Sequence, residues 1–159
     1  IFLNGLFKDP KIVPSNLINQ EVPNFDSVAV LSKKKFNQEF LREDNRIKIV
    51  NFFASWCPPC KVEHPQLQYF SKKKDLSVLG INKKDESRDL EKFLKELGDP
   101  FEAIISDLDG KVGIQWGVYA LPESFIIDKE GKIRYKHIGP IMKRDLIVLD
   151  KIINNLRNE

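Results

Sequence analysis

Residues 47–54, Ile47-Lys48-Ile49-Val50-Asn51-Phe52-Phe53-Ala54, constrain this chain more than any other stretch, because they run straight into its only two cysteines. The run is β-branched, aromatic and nearly continuously apolar, which predicts a strand buried on both faces. It leads into Trp56-Cys57-Pro58-Pro59-Cys60, and the spacing beyond predicts a helix over about 58–74. Both cysteines therefore stand where a central strand ends and a helix begins. Further strand and helix signals alternate after them. Residues 76–81 read as a strand, and Asp85-Glu86-Ser87 read as capping and first-turn signals for a helix striped by Leu90, Phe93, Leu94 and Leu97. Residues 103–106 read as a short strand and 110–116 as a helical turn. Residues 124–128 and 132–137 flank a turn at Lys129-Glu130-Gly131 as a hairpin, and a closing helix covers about 143–156. This order predicts an α/β sandwich, a mixed central sheet covered by helices on both faces.

The composition fits one soluble globular domain. The chain has 159 residues, 42% apolar and 31% charged, which excludes a disordered protein. Its longest charge-free stretch is the 12 residues 49–60, whereas a spanning helix needs about 20 apolar residues. A net charge of +3 is too small to imply nucleic acid without a motif, and the runs Lys33-Lys34-Lys35 and Lys72-Lys73-Lys74 read as solvated helix faces. Residues 1–24 hold Pro10, Pro14 and Pro23 and read as an extended lead-in, with the compact domain over 25–159. The apolar opening, residues 1–7, is expected to trail a removed signal or membrane anchor; an arbitrary chain boundary is the alternative.

The cysteine placement carries the chemistry. Free N–H groups and the positive dipole end at a helix N-terminus stabilise an anion, so Cys57 is expected to ionise below the roughly 8.5 of a free thiol. Pro58 and Pro59 suit a first turn, where their missing donors break no bond. Cys60 lies one turn on, with Cα atoms expected about 5–6 Å apart, so the pair can close and open with little backbone movement. Cys57 is the expected attacking sulfur and Cys60 the resolving one. Other readings compete. A structural disulfide would not explain the placement. A zinc site needs four ligands, and only His64 and His137 remain as nitrogen donors, so no metal is expected.

Cys60, Glu63, Leu67 and Phe70 recur at spacings of 3, 4 and 3 and share one helix face. Glu63 is therefore expected against the sheet beside Cys60, with a raised pKa suited to exchanging a proton with that thiol. The alternative turns it to the helix edge, to meet water or Lys61. Pro65 is expected to kink the helix and divide its first turn from the rest. His64 reads as a surface residue, Glu123 by itself as a solvated carboxylate, and Pro122 as an ordinary trans proline.

Trp56-Cys57-Pro58-Pro59-Cys60-Lys61-Val62-Glu63-His64-Pro65 resembles the thioredoxin superfamily. With Gly117-Val118-Tyr119-Ala120-Leu121-Pro122-Glu123-Ser124-Phe125-Ile126-Ile127-Asp128, and then residues 131–140, it resembles more narrowly the CcmG/DsbE cytochrome c biogenesis thioredoxins of the TlpA/ResA-like branch. Gly5-Leu6-Phe7 and Pro23-Asn24-Phe25 resemble that family's segment after its membrane anchor. The resemblance implies a thioredoxin fold with Pro122 as a cis proline facing the cysteines, which replaces the trans expectation. Trp56, Pro58, Pro59, Leu121, Pro122 and Glu123 would contact substrate. It implies a reductant of the bacterial periplasm, tethered to the inner membrane, that uses no cofactor beyond its Cys57–Cys60 disulfide. Its substrates would be the oxidised CxxCH site of apocytochrome c or a mixed disulfide of a cytochrome c maturation factor, and its electrons would come from a membrane thiol carrier of the DsbD/CcdA type. Asn51 departs from the Asp of ordinary thioredoxins, which strengthens Glu63 as the proton acceptor; Leu121 is larger than the family's usual residue before the proline. A broader TlpA/ResA-like reductase and a non-catalytic binding module are the other readings.

Overall fold

The structure is a computed structural model that describes residues 15–159; the apolar opening and the first part of the lead-in, with Pro10 and Pro14, lie outside the described residues. Among the described residues six strands form one sheet. They are β1 (Val28–Ala29), β2 (Ile47–Phe53), β3 (Leu76–Lys83), β4 (Ala103–Asp107), β5 (Glu123–Ile127) and β6 (Ile133–Ile138). Their order across the sheet is β1-β4-β3-β2-β5-β6. β2, β3 and β4 are parallel, and β1, β5 and β6 are antiparallel to their neighbours. The helices are α1 (Gln38–Glu43), α2 (Pro58–Ser71), α3 (Ser87–Leu97), α4 (Lys111–Gln115) and α5 (Leu146–Arg157), the last preceded by a 3-10 turn at Lys143–Asp145.

Each residue of β2 is buried, because the sheet is covered on both sides. Ile47, Ile49 and Phe53 meet Leu67 and Phe70 of α2, Leu90 and Phe93 of α3, and Leu149, Ile153 and Leu156 of α5. Val50 and Phe52 point the other way, into a core with Leu41 of α1, Val112 of α4 and Trp116. Each fully buried Leu, Ile or Phe contributes roughly 1.5–3 kcal/mol, so the two layers dominate the fold's stability. Strand periodicity then fixes the polar exceptions. Asn51 shares the α2 face with Ile49 and Phe53. Lys48 lies on the opposite face, where its Nζ donates to the Asp128 carbonyl at 2.8 Å and burial pulls its pKa down to about 8.

The hairpin between β5 and β6 turns on Asp128, whose Oδ1 accepts from the Glu130 and Lys132 amides, and on Gly131, whose φ of 85° keeps out a side chain. Residues 15–24 lie against this hairpin: Asn19 and Val22 donate to the Ile133 and Gly131 carbonyls, and Val22 is buried.

Three expectations change. β1 and α1 are too short for a periodic signal and are additional to the predicted elements. α2 runs unbroken through Pro65 to Ser71, so the proline does not divide it. The lysine runs lie outside the helices: Lys33 pairs with Asp99 and donates to the Phe101 carbonyl, and Lys73 pairs with Asp150.

Candidate active site

Cys57 caps α2 and Cys60 occupies its first turn, their Cα atoms 5.3 Å apart and their sulfurs joined in a disulfide. The Cys60 amide donates to Cys57 Sγ at 3.3 Å, which gives that sulfur the role a serine or aspartate oxygen plays at other N-caps. The same donor faces a thiolate once the bond is reduced, so the helix end favours negative charge on Cys57.

A groove of about 350 Å³ opens over this helix end. Trp56, Cys57, Pro58 and Pro59 form one side; Tyr119, Ala120 and Leu121 form another, with Lys83 and Lys84 at the end of β3. Cys60 is not among the lining residues, so Cys57 is the sulfur an incoming chain meets. Trp56 is 58% exposed and Tyr119 61%, a pair of aromatic faces flanking the disulfide. The Leu121–Pro122 peptide bond is cis, as the family resemblance implies, and Pro122 is buried. A larger cleft of about 530 Å³ lies by β1 and α4, lined by Asp26, Val28 and Asp109 among others, and it contains no cysteine.

Beneath the disulfide, Glu63 is fully buried on the α2 face that meets β2. Asn51 Nδ2 donates to its Oε1 at 2.7 Å, and the Ile141 amide donates to its Oε2 at 3.0 Å. Burial pushes the Glu63 carboxyl up to about 7, against these two donors, which favour the anion. The helix-edge alternative is excluded. Asn51 thus holds the Glu63 carboxyl, and its Nδ2 also donates to Ser124 Oγ at 2.9 Å.

Glu123 differs from both expectations for it. It is fully buried rather than solvated, and it lies beneath the 117–122 loop rather than in the groove wall. Strand alternation puts it on the sheet face opposite Ser124 and Glu63, with Phe125. Its Oε2 is 3.3 Å from Lys136 Nζ, and burial raises its pKa despite that cation.

His64 is also corrected. It is buried, its Nε2 donating to the Gly98 carbonyl at 2.6 Å and its ring edge-on to Phe93, so it ties α2 to the end of α3. Polar residues on an amphipathic helix read as exposed, and the carbonyl that receives His64 is 34 residues away in sequence.

Asp85 was legible only as a helix-capping signal, yet the cap is Glu86 and makes no side-chain bond. Asp85 instead turns back to the motif. Its carboxylate accepts from the Ser55 amide at 2.7 Å, the Ser55 hydroxyl at 2.6 Å and Asn82 Nδ2 at 2.8 Å. Next to it, the Lys84 carbonyl accepts from Trp56 Nε1 at 2.9 Å. The two residues preceding Cys57 are thereby held from the end of β3. Among the described residues no cluster of His, Cys, Asp and Glu is arranged to hold a metal, and no helix is long and apolar enough to cross a membrane.

Comparison with known proteins agrees with this chemistry. The Redoxin family model matches residues 18–153. The chain is 44% identical over 137 residues to the thiol:disulfide interchange protein DsbE homolog of Paracoccus denitrificans, covering 86% of this chain and 75% of that one. It is 38% identical over 133 residues to the thiol:disulfide interchange protein HelX of Rhodobacter capsulatus, covering 84% and 74%. A Chlorobium tepidum protein described as a DsbE thiol:disulfide interchange protein superposes with a TM-score of 0.73 at 26% identity, covering 87% of this chain and 96% of that one. The α/β sandwich is accordingly a thioredoxin-like fold with a mixed six-stranded sheet. With a cysteine pair at a helix N-terminus that faces a cis-proline loop, the chain belongs to the redoxin family, within its DsbE group of thiol:disulfide interchange proteins, and is a thiol-disulfide oxidoreductase.

Proposed function

We propose that the protein reduces the disulfide of an extended polypeptide, the CxxCH site of an apocytochrome c or a mixed disulfide of a maturation factor, in the periplasm during c-type cytochrome assembly. The observation that carries this reading is the groove that Cys57, and not Cys60, lines together with residues 119–121. Membership of the DsbE group and the resemblance of the Gly117–Phe125 block to the CcmG/DsbE cytochrome c biogenesis thioredoxins support the cytochrome c assignment.

The Cys57 thiolate attacks one sulfur of the target, forming a mixed disulfide, and the displaced target thiolate takes up a proton. Cys60 then gives its proton to the Glu63 carboxylate and attacks Cys57 Sγ. The second target thiol leaves, and the Cys57–Cys60 disulfide holds the two-electron oxidation. A carboxyl that ionises near pH 7 is half-charged at neutral pH and can both accept and return that proton. The residues beside Pro122 hold the target by strand-like backbone hydrogen bonds. A membrane thiol carrier of the DsbD/CcdA type restores the reduced pair, and an anchor preceding the residues 1–24 lead-in keeps the domain at the inner membrane. The electrons are carried by the two thiols alone, with Glu63 handling the proton.

Cys60→Ser leaves the mixed disulfide unresolved. Mixed with an oxidised Cys-x-x-Cys-His peptide, this variant is expected to accumulate a Cys57–peptide adduct visible by mass spectrometry. An unrelated peptide disulfide of equal length is expected to trap more slowly. Equal trapping of both leaves a general reductase and removes the cytochrome assignment. No adduct with either, while Cys57 still alkylates, contradicts the reductase reading as a whole.

A further inference from the structure

The loop that carries Pro122 and forms one wall of the groove is tied at its ends by backbone bonds, the Val118 amide to the Gly113 carbonyl at 2.8 Å and the Gly139 amide to the Pro122 carbonyl at 2.9 Å, and is spanned from behind by one cation. Residues 118–122 have no regular secondary structure. Lys136 on β6 pairs with Phe125 on β5, which puts its side chain on the sheet face away from α2 and under this loop. The side chain is 7% exposed. Its Nζ donates to the Gly117 carbonyl at 2.9 Å, lies 3.3 Å from Glu123 Oε2, and sits 5.2 Å from the centre of the Tyr119 ring. Gly117 precedes the loop, Tyr119 lies within it, and Glu123 comes directly after Pro122. One ammonium group therefore touches the segment at its start, its middle and its end.

Stability alone is a weak reason for such an arrangement. Removing an ammonium and a carboxylate from water costs several kcal/mol each, and a buried ion pair is often no more stable than an apolar pair of the same volume. The Glu123 carboxylate faces the Tyr119 and Ala120 amides of the same loop without a well-formed hydrogen bond to either, so Lys136 is its closest partner. What the pair does supply is geometry. Tyr119 and Leu121 can meet a docked chain in a fixed place only if the loop bearing them is fixed, and Lys136 spans it.

We propose that Lys136 is a positioning residue for the substrate groove, holding the 117–123 segment through the Gly117 carbonyl and Glu123 so that Tyr119 and Leu121 receive the polypeptide attacked by Cys57. This rests on the reading of the groove given under Proposed function. Lys136 touches no reacting atom and acts only through the loop.

The test compares two oxidants of the reduced protein, an internally disulfide-bonded Cys-x-x-Cys-His peptide and bis(2-hydroxyethyl) disulfide, which is too small to span the groove. The readout is the ratio of their second-order rate constants. Lys136→Met is expected to lower the peptide-to-small-disulfide ratio by about tenfold or more, through a raised KM for the peptide, and Lys136→Arg to return it to within about threefold of wild type. Lys136→Met also strands a buried carboxylate, so the double variant Lys136→Met/Glu123→Gln separates folding from positioning. It is expected to recover the thermal midpoint without recovering the ratio. A Lys136→Met ratio within about twofold of wild type, or a double variant that recovers the ratio along with stability, overturns the proposal. A wild-type protein with no preference for the peptide overturns the groove reading itself, and that failure is visible before any variant is made.

Discussion

Replacing Glu63 by Gln tests whether the sheet-facing carboxyl is desolvated as its surroundings dictate. In the folded protein it ionises near pH 7, against an ordinary value of 4.5, because burial penalises the anion more than the Asn51 and Ile141 donors favour it. Between those two values the folded state holds a proton that the unfolded chain has released. The stability contributed by the neutral carboxyl is therefore complete below about pH 4.5 and is lost as the pH rises to about 7. At about 1.4 kcal/mol per pH unit, that interval is worth about 3 kcal/mol. Gln has the shape of the neutral acid and does not titrate. Asn51 Oδ1 has no hydrogen-bond partner among the described residues, so turning the Asn51 amide over offers an acceptor to the new side-chain N–H. Urea unfolding of both proteins at pH steps from 4 to 8.5, with the disulfide intact so that neither thiol titrates, gives the difference directly. Wild type minus variant is expected to fall by about 3 kcal/mol across the window and to stay flat above it. A difference that does not change between pH 4.5 and 7 refutes the desolvation argument, and with it the proton exchange assigned to Glu63.

Asp85→Ala removes the acceptor of Ser55 and Asn82 and is expected to cost roughly 3 kcal/mol in urea unfolding, with altered Trp56 fluorescence as its indole loses the ordered Lys84 carbonyl. A cost below about 1 kcal/mol shows that the approach to Cys57 is held by other contacts. His64 carries the opposite pH signature to Glu63. Burial depresses its folded pKa below 6.5, so its contribution is complete above that value and declines as the pH falls. An NMR titration of the His64 ring is expected to show a midpoint below 6.5, and a midpoint above it contradicts the assigned burial.

How far the sequence revealed this molecule depended on the range of the interactions involved. β2, α2 and the hairpin were legible because an apolar run, a helix stripe and a Lys129-Glu130-Gly131 turn between two strand signals are local patterns. The Cys57–Cys60 distance comes from helix geometry alone. Glu63 was also legible, since its spacing from Cys60, Leu67 and Phe70 sets its face. The partners that tune it were less so: Ile141 lies 78 residues away, and its amide leaves no mark on the sequence. Asp85, His64 and Glu123 were misread for one reason. Each is a polar side chain whose partner comes from another element, and a local reading assigns such residues to solvent or to a cap. Lys136 gave no signal at all, because one lysine in a hairpin strand is ordinary until the loop it holds is known.

The account depends most on Cys57 being the sulfur that ionises readily and faces the incoming chain. The direct measurement is the rate of iodoacetamide alkylation of each cysteine in the reduced protein as a function of pH, read by peptide mass spectrometry. Cys57 is predicted to react first, with a midpoint clearly below the roughly 8.5 of an ordinary thiol, while Cys60 stays largely protected. Two thiols alkylated at similar rates, both with midpoints near 8.5, would contradict the assignment.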